Sequence, residues 1–194
     1  PKCLEFRRVL SRSQAESNDN RMIGQIYIFQ LRPQNDFLIG YEAETGKMGP
    51  ELATEWKLEP DGKSFRFMLR KGVQFQKGFG EFTAKDALFS WQNLTQPDSL
   101  QVEAPTWKRV VQSIEVVNDY EAIYHLDPDA NFLHGISRAE GGMEIRSKAS
   151  WDKLGHDPTM QEAPLAGTGA YQFKRSEEHT SELQSLRHLV CRLL

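Results

Sequence analysis

The chain has 194 residues, 39% of them hydrophobic and 26% charged, with a formal net charge of −3 at pH 7. Nothing approaches the roughly 20 consecutive apolar residues of a membrane span. No basic stretch interleaved with aromatics marks a nucleic-acid surface. Direct membrane insertion by this chain and a nucleic-acid partner are therefore both unexpected.

The two ends stand apart from the rest. Leu4 to Ser13 reads LEFRRVLSRS and Arg175 to Leu194 reads RSEEHTSELQSLRHLVCRLL. Both look like in-frame translations of a common sequencing-library adapter and its reverse complement, with Ser11 the departure at the first end. Segments 1–13 and 175–194 are accordingly expected to be foreign to the fold. The alternative is a genuine C-terminal helix with Leu183, Leu186, Leu189, Val190 and Leu193 on one face. Cys3 and Cys191 lie in or beside these flanks, so the cysteine count carries no information on redox compartment.

From Gln14 the chain is polar through Glu16, Asn18, Asp19, Asn20 and Arg21, then apolar from Met22 to Leu31 with bulk on both faces. That pattern suits a strand or short helix buried on two sides. Arg32 to Gly49 is loop-rich. Trp56 and Leu58 then share one side of a strand, Pro60-Asp61-Gly62 supplies turn chemistry, and Phe65, Phe67 and Leu69 alternate with Arg66. This predicts a half-buried antiparallel hairpin. After Lys71-Gly72, Val73 and Phe75 predict a short third strand.

Thr83 is a good N-cap, and Asp86 three residues later completes a capping-box pattern. Phe82 and Ala87 occupy hydrophobic-staple positions. Ala84, Ala87, Leu88, Trp91 and Leu94 form one apolar helical stripe, with Trp56 and Trp91 assigned to the core. Gln96-Pro97-Asp98 ends that helix. Trp107 and Val110 keep helical spacing. Ile114 and Val116, then Ala122, Tyr124 and Leu126, predict two strands around an Asn118-Asp119 turn. Asp127-Pro128 stops the second. Short helices are expected over Asn131–Arg138 and Ala149–Leu154, the latter closing at Gly155.

The run LATEW, then DG, FRFMLRKGVQF and FTAKDALFSW, resembles the signature of the family 5 extracellular solute-binding proteins, receptors of peptide and nickel ABC importers. VVQSIEVVNDYEAIYHLDP resembles the hairpin that follows that helix, YEAETGKMGPELA resembles the lead-in, and GTGAYQF the return to the large lobe. Ala170 stands where the family usually has proline. The implied fold is α+β: the small lobe of a two-lobed, periplasmic-binding-protein-like (type II) receptor over 40–150. Incomplete large-lobe segments over 14–39 and 151–174 flank it.

The resemblance implies capture of a small solute or peptide outside the cytoplasm and delivery to ABC transporter permease subunits, with no chemistry and no cofactor. It also implies a leader, and in some parents a lipid anchor, that this chain does not display. The alternatives are an enzyme or regulator reusing the receptor fold, or a truncated fragment without function. Peptide, sugar, nickel-chelate and opine receptors share the matched stretch, so it leaves the substrate undefined.

Ligand-facing candidates are Asn18, Asp19, Asn20 and Arg21, near where the family's first passage meets ligand, and Trp107 from the small lobe. The competing readings are a solvated loop for the polar run and a core tryptophan. Chemical sites are sparse. His125, His134 and His156 match no compact metal spacing. Asp127, Asp129 and Asn131 begin like a calcium loop, but Phe132 and Arg138 replace the required glycine and glutamate. Gly78-Phe79-Gly80 and Gly167-Thr168-Gly169 read as turns, and the Asn93-Leu94-Thr95 sequon falls on the predicted helix.

Overall fold

The computed structural model describes residues 21, 32–42, 44–127, 132–137, 143–154 and 165–172. The flanks 1–13 and 175–194, the polar residues Asn18, Asp19 and Asn20 and the apolar run 22–31 lie outside the described residues. Two antiparallel sheets organise the rest. Strands β1 (Ile39–Tyr41) and β2 (Met48–Pro50) make a small hairpin. Strands β3 (Ala53–Leu58), β4 (Ser64–Leu69), β5 (Val111–Asn118) and β6 (Glu121–Leu126) make a sheet in the order β3-β4-β6-β5. Helices α1 (Ala84–Leu94), α2 (Ala104–Val110), α3 (Phe132–Gly135) and α4 (Lys148–Leu154), with short 3-10 turns at Arg32–Gln34 and Gln76–Gly78, complete the described part.

The β3–β4 hairpin forms as its turn chemistry predicts. Gly62 adopts φ 67°. The Asp61 carboxylate accepts the Lys63 and Ser64 N–H groups at 2.8 and 2.9 Å and the Ser64 hydroxyl at 2.6 Å. Pairing Trp56 with Phe67 and Leu58 with Phe65 puts the apolar residues in rows. Those rows continue through Ala122 and Tyr124 to Val116 and Ile114. The opposite face is mostly polar, with Arg66 bridging Glu59 and Glu121 beside the buried Ile123.

The inner rows meet an aromatic cluster. Phe67 lies 5.1 Å from Tyr124, and Phe132 of α3 lies 5.9 Å from Tyr124 and 6.4 Å from Trp107, between ring centroids. Trp56 and Trp91 pack against this core from its margin, both half-buried, and Leu58 is 51% exposed. The reason is topological: β3 is an edge strand, so its inner face has a neighbour on one side alone.

Helix α1 begins where Thr83 predicts. The Thr83 N–H and hydroxyl both donate to Asp86 Oδ2 at 3.0 Å. Phe89, off the expected stripe, is buried against Trp151 of α4, 6.0 Å away. Helix α2 runs straight into β5 at Val111. The β5–β6 turn is shifted by one residue from the expected position. Asn118 pairs with Glu121, leaving Asp119-Tyr120 as the loop, and Asn118 Oδ1 accepts the Tyr120 N–H at 2.9 Å. The stretch expected to restart as a strand makes one bridge, Gln74 with Glu81, with Phe75 buried beside it.

Candidate functional site

Of the ligand-facing candidates, Arg21 and Trp107 are among the described residues, and both are buried. Arg21 is 3% exposed. Its guanidinium donates to Gln96 Oε1 at 2.9 Å, pairs with Asp98 at 3.3 Å and stacks over the Trp151 ring at 4.8 Å. Its carbonyl accepts the Leu100 N–H at 2.6 Å. Arg21 thus ties the loop after α1 to α4. Polar neighbours in sequence gave no sign of this, because its partners lie 75 and more positions away.

Trp107 projects from α2 into the aromatic core. A Cβ at Gly135 would lie 2.5 Å from its Cη2 atom. Its carbonyl accepts the Trp91 indole N–H at 3.5 Å. Arg21 and Trp107 therefore occupy separate environments, and the structure does not bring them together around one cavity.

A shallow depression of about 210 Å³ lies over the β1–β2 hairpin, lined by Gly40, Tyr41, Glu42, Gly49, Pro50 and Glu51. Its floor is the Gly40–Gly49 pair. Glu51 lies across Gly40 and Glu42 across Gly49, so a Cβ at either glycine would meet a glutamate at 2.9 or 3.2 Å. Nearby, the Tyr41 hydroxyl and His134 Nδ1 are 2.8 Å apart.

On the outer sheet face, Ser64, His125 and Glu115 line up: Ser64 Oγ to His125 Nδ1 is 2.9 Å, and His125 Nε2 to Glu115 is 3.3 Å. The residue types match a hydrolytic triad, but the chemistry does not. Ser64 is 2% exposed, and its hydroxyl proton is directed to Asp61. That hydrogen bond, with the Lys63 N–H next in weight, holds the Asp61 carboxyl below its ordinary value. Among the described residues no group of three metal-ligating side chains converges. Asn93, within the sequon, is 1% exposed and inaccessible to a glycan in the folded chain.

The densest polar construction was not visible in the sequence. The Gly169 N–H donates to Gln34 O and the Tyr171 N–H to Pro33 O, at 2.9 and 3.1 Å. Gln76 binds the same stretch from the third side. A Cβ at Gly167 would come within 2.0 Å of Gln34 O. Gly167-Thr168-Gly169 is thus a close backbone crossing, and the expectation of a turn is corrected. A glycine at every second position was the available signal.

The model of the bacterial extracellular solute-binding proteins, family 5 Middle, matches residues 47–184, running beyond the boundary at 174 read from the adapter-like text. The probable di/tripeptide-binding protein 5 of Pseudomonas aeruginosa is 31% identical over 166 residues, covering 73% of this chain and 30% of that relative. A dipeptide-binding protein of the same species is 39% identical over 158 residues, again covering 73% and 30%. The periplasmic binding protein DppA of Helicobacter pylori, solved with the peptide STSA, superposes with a TM-score of 0.69 at 28% identity. That superposition covers 85% of this chain and 36% of that one. The chain spans about 30% of the length of the curated relatives it matches. With the family model matching well over half of its residues, the chain belongs to the bacterial extracellular solute-binding proteins of family 5.

Proposed function

We propose that the complete protein captures a peptide or similar small solute outside the cytoplasm and delivers it to the permease subunits of an ABC transporter. The observation that carries this reading is the family-model match over 47–184. The relatives reported above are named for di- and tripeptides, which makes short peptides the first substrate class to test. An extracytoplasmic location, with or without a lipid anchor, goes with the same reading. Among the described residues no helix is long and apolar enough to cross a membrane.

Within this function the described part acts as scaffold. Its buried aromatic core and its braced loops support a lobe, and the ligand cleft is completed by parts of the relatives that this chain does not span. Asn18, Asp19 and Asn20 are the ligand-facing candidates in this reading. The buried guanidinium of Arg21 supports a structural role for it, and the core position of Trp107 supports a packing role.

The test is calorimetry on the product of the complete reading frame that carries these residues, against a panel of di- and tripeptides. Micromolar or tighter binding by the complete receptor is expected, with no measurable binding by the 194-residue chain. Absence of binding across peptides and small solutes, or turnover of any of them, would overturn the proposal.

A further inference from the structure

Three stretches far apart in the chain meet at Gln76. Its main-chain N–H donates to Gly167 O at 3.0 Å. Its side-chain Nε2 donates to Gly169 O and Tyr171 O, each at 2.7 Å, with Gln34 O a further acceptor at 3.4 Å. Carbonyl oxygens can accept and never donate, so the amide must turn its nitrogen toward them. The two backbones it grips are already in contact. A Cβ at Gly169 would stand 2.6 Å from Pro33 O, and the Thr168 hydroxyl donates to Asp36 Oδ2 at 2.9 Å.

The residue after Gln76 is held in an unfavourable conformation. Lys77 has φ 59° and ψ 20°, the left-handed region that disfavours a residue with a Cβ. Such a conformation persists where surrounding bonds over-determine it. Here the Phe75 N–H donates to Gly80 O and the Phe82 N–H to Val73 O, each at 2.8 Å, closing the turn on one side. The grip of Gln76 on 167–171 closes it on the other.

We propose that Gln76 is a positioning residue, a two-carbonyl latch that fixes segment 167–171 against 33–36. The latch's consequence for ligand capture rests on the function proposed above, whereas its existence does not. In a receptor that closes on its ligand, such a latch keeps the sheet and the crossing segments moving as one body.

The test is amide hydrogen exchange by NMR on the full 194-residue chain. Gln76→Met preserves length and removes both donors. Gln76→Glu faces the carbonyls with an acceptor at neutral pH and regains one donor when protonated at about pH 4. Protection at Gly169 and Tyr171 is expected to fall about tenfold in Gln76→Met. It falls further in Gln76→Glu at pH 7, and part of it returns for Gln76→Glu alone on acidification, while the amides of Phe67 and Tyr124 keep their wild-type protection. Unchanged protection at Gly169 and Tyr171 in Gln76→Met would overturn the latch. Equal loss of protection throughout the sheet would overturn it too, by making Gln76 a residue of general stability. A complete receptor that fails to bind peptides while showing the expected protection pattern would count against the proposed function and leave the latch standing.

Discussion

Asp86 and Lys148, 62 positions apart, meet where helix α4 begins: Asp86 Oδ1 accepts the Lys148 N–H at 3.0 Å. The other oxygen accepts the N–H and hydroxyl of Thr83 at the start of α1. One carboxylate therefore caps two helices. Removing a cap costs about 1 kcal/mol, and leaving part-buried donors unsatisfied adds to that. Asp86→Ala is expected to lower stability by about 2–3 kcal/mol in urea titration. Asp86→Asn, which keeps one acceptor oxygen, should lose about half as much. A loss under about 0.5 kcal/mol for the alanine variant would mean that water replaces both caps.

Gly135 and Trp107 make a similarly sharp case. The indole occupies the place of the missing side chain, with Cη2 2.5 Å from where a Cβ would stand. Gly135→Ala must displace the ring or the α3 backbone, at about 1–3 kcal/mol. The expected signature is a changed tryptophan fluorescence maximum together with the lower midpoint. Trp107→Phe, which vacates the space, should recover part of the loss in the double variant. Simple additivity of the two changes would argue against the contact.

The turn carboxylate Asp61 links stability to pH. Hydrogen bonds from Ser64 and Lys63 hold its folded-state carboxyl below the ordinary 3.8. A group depressed on folding contributes stability that is present above its unfolded value and is lost as pH falls through the folded value. The wild type should therefore exceed Asp61→Asn in urea midpoint at pH 7. The difference should close as the pH drops below about 4. A difference that stays constant down to pH 2 would assign the effect to turn geometry, with no contribution from the charge.

What could be read in the sequence was what is decided locally. Thr83 and Asp86 are three residues apart, so their cap was visible, whereas the second partner of Asp86, Lys148, was not. The alternation of Phe65, Phe67 and Leu69 gave the strand and its face. Strand order was needed to know that Trp56 and Leu58 sit on an edge, and so how much of each is covered. Phe89 broke the expected stripe because Trp151, its partner, arrives from a separate helix. The junction of Gln34, Gln76 and Gly169 involves three distant backbones and leaves no periodic trace beyond its glycines. Of the candidate site, the polar character of 18–21 was legible, but the burial of Arg21 was not, since nothing nearby in sequence covers it.

Arg21 is where stability and function can be separated experimentally. Its guanidinium is enclosed by Gln96, Asp98 and the Trp151 ring, so truncation leaves a buried site without its cation. Asp98 is 60% exposed and stays solvated when its partner is removed, so the loss comes from the hydrogen bond to Gln96 and the stacking on Trp151, about 1–2 kcal/mol together. Arg21→Met retains most of the volume and removes the charge, the hydrogen bonds and the stacking. The expected outcome is a stability loss of about 1–2 kcal/mol in the 194-residue chain, where no ligand is needed to see it. In the complete receptor, peptide affinity should change less than tenfold, in contrast to substitutions at Asp19 or Asn20. Normal stability with a large loss of affinity would reverse the assignment and make Arg21 a ligand contact, with Gln96 and Asp98 serving to aim it.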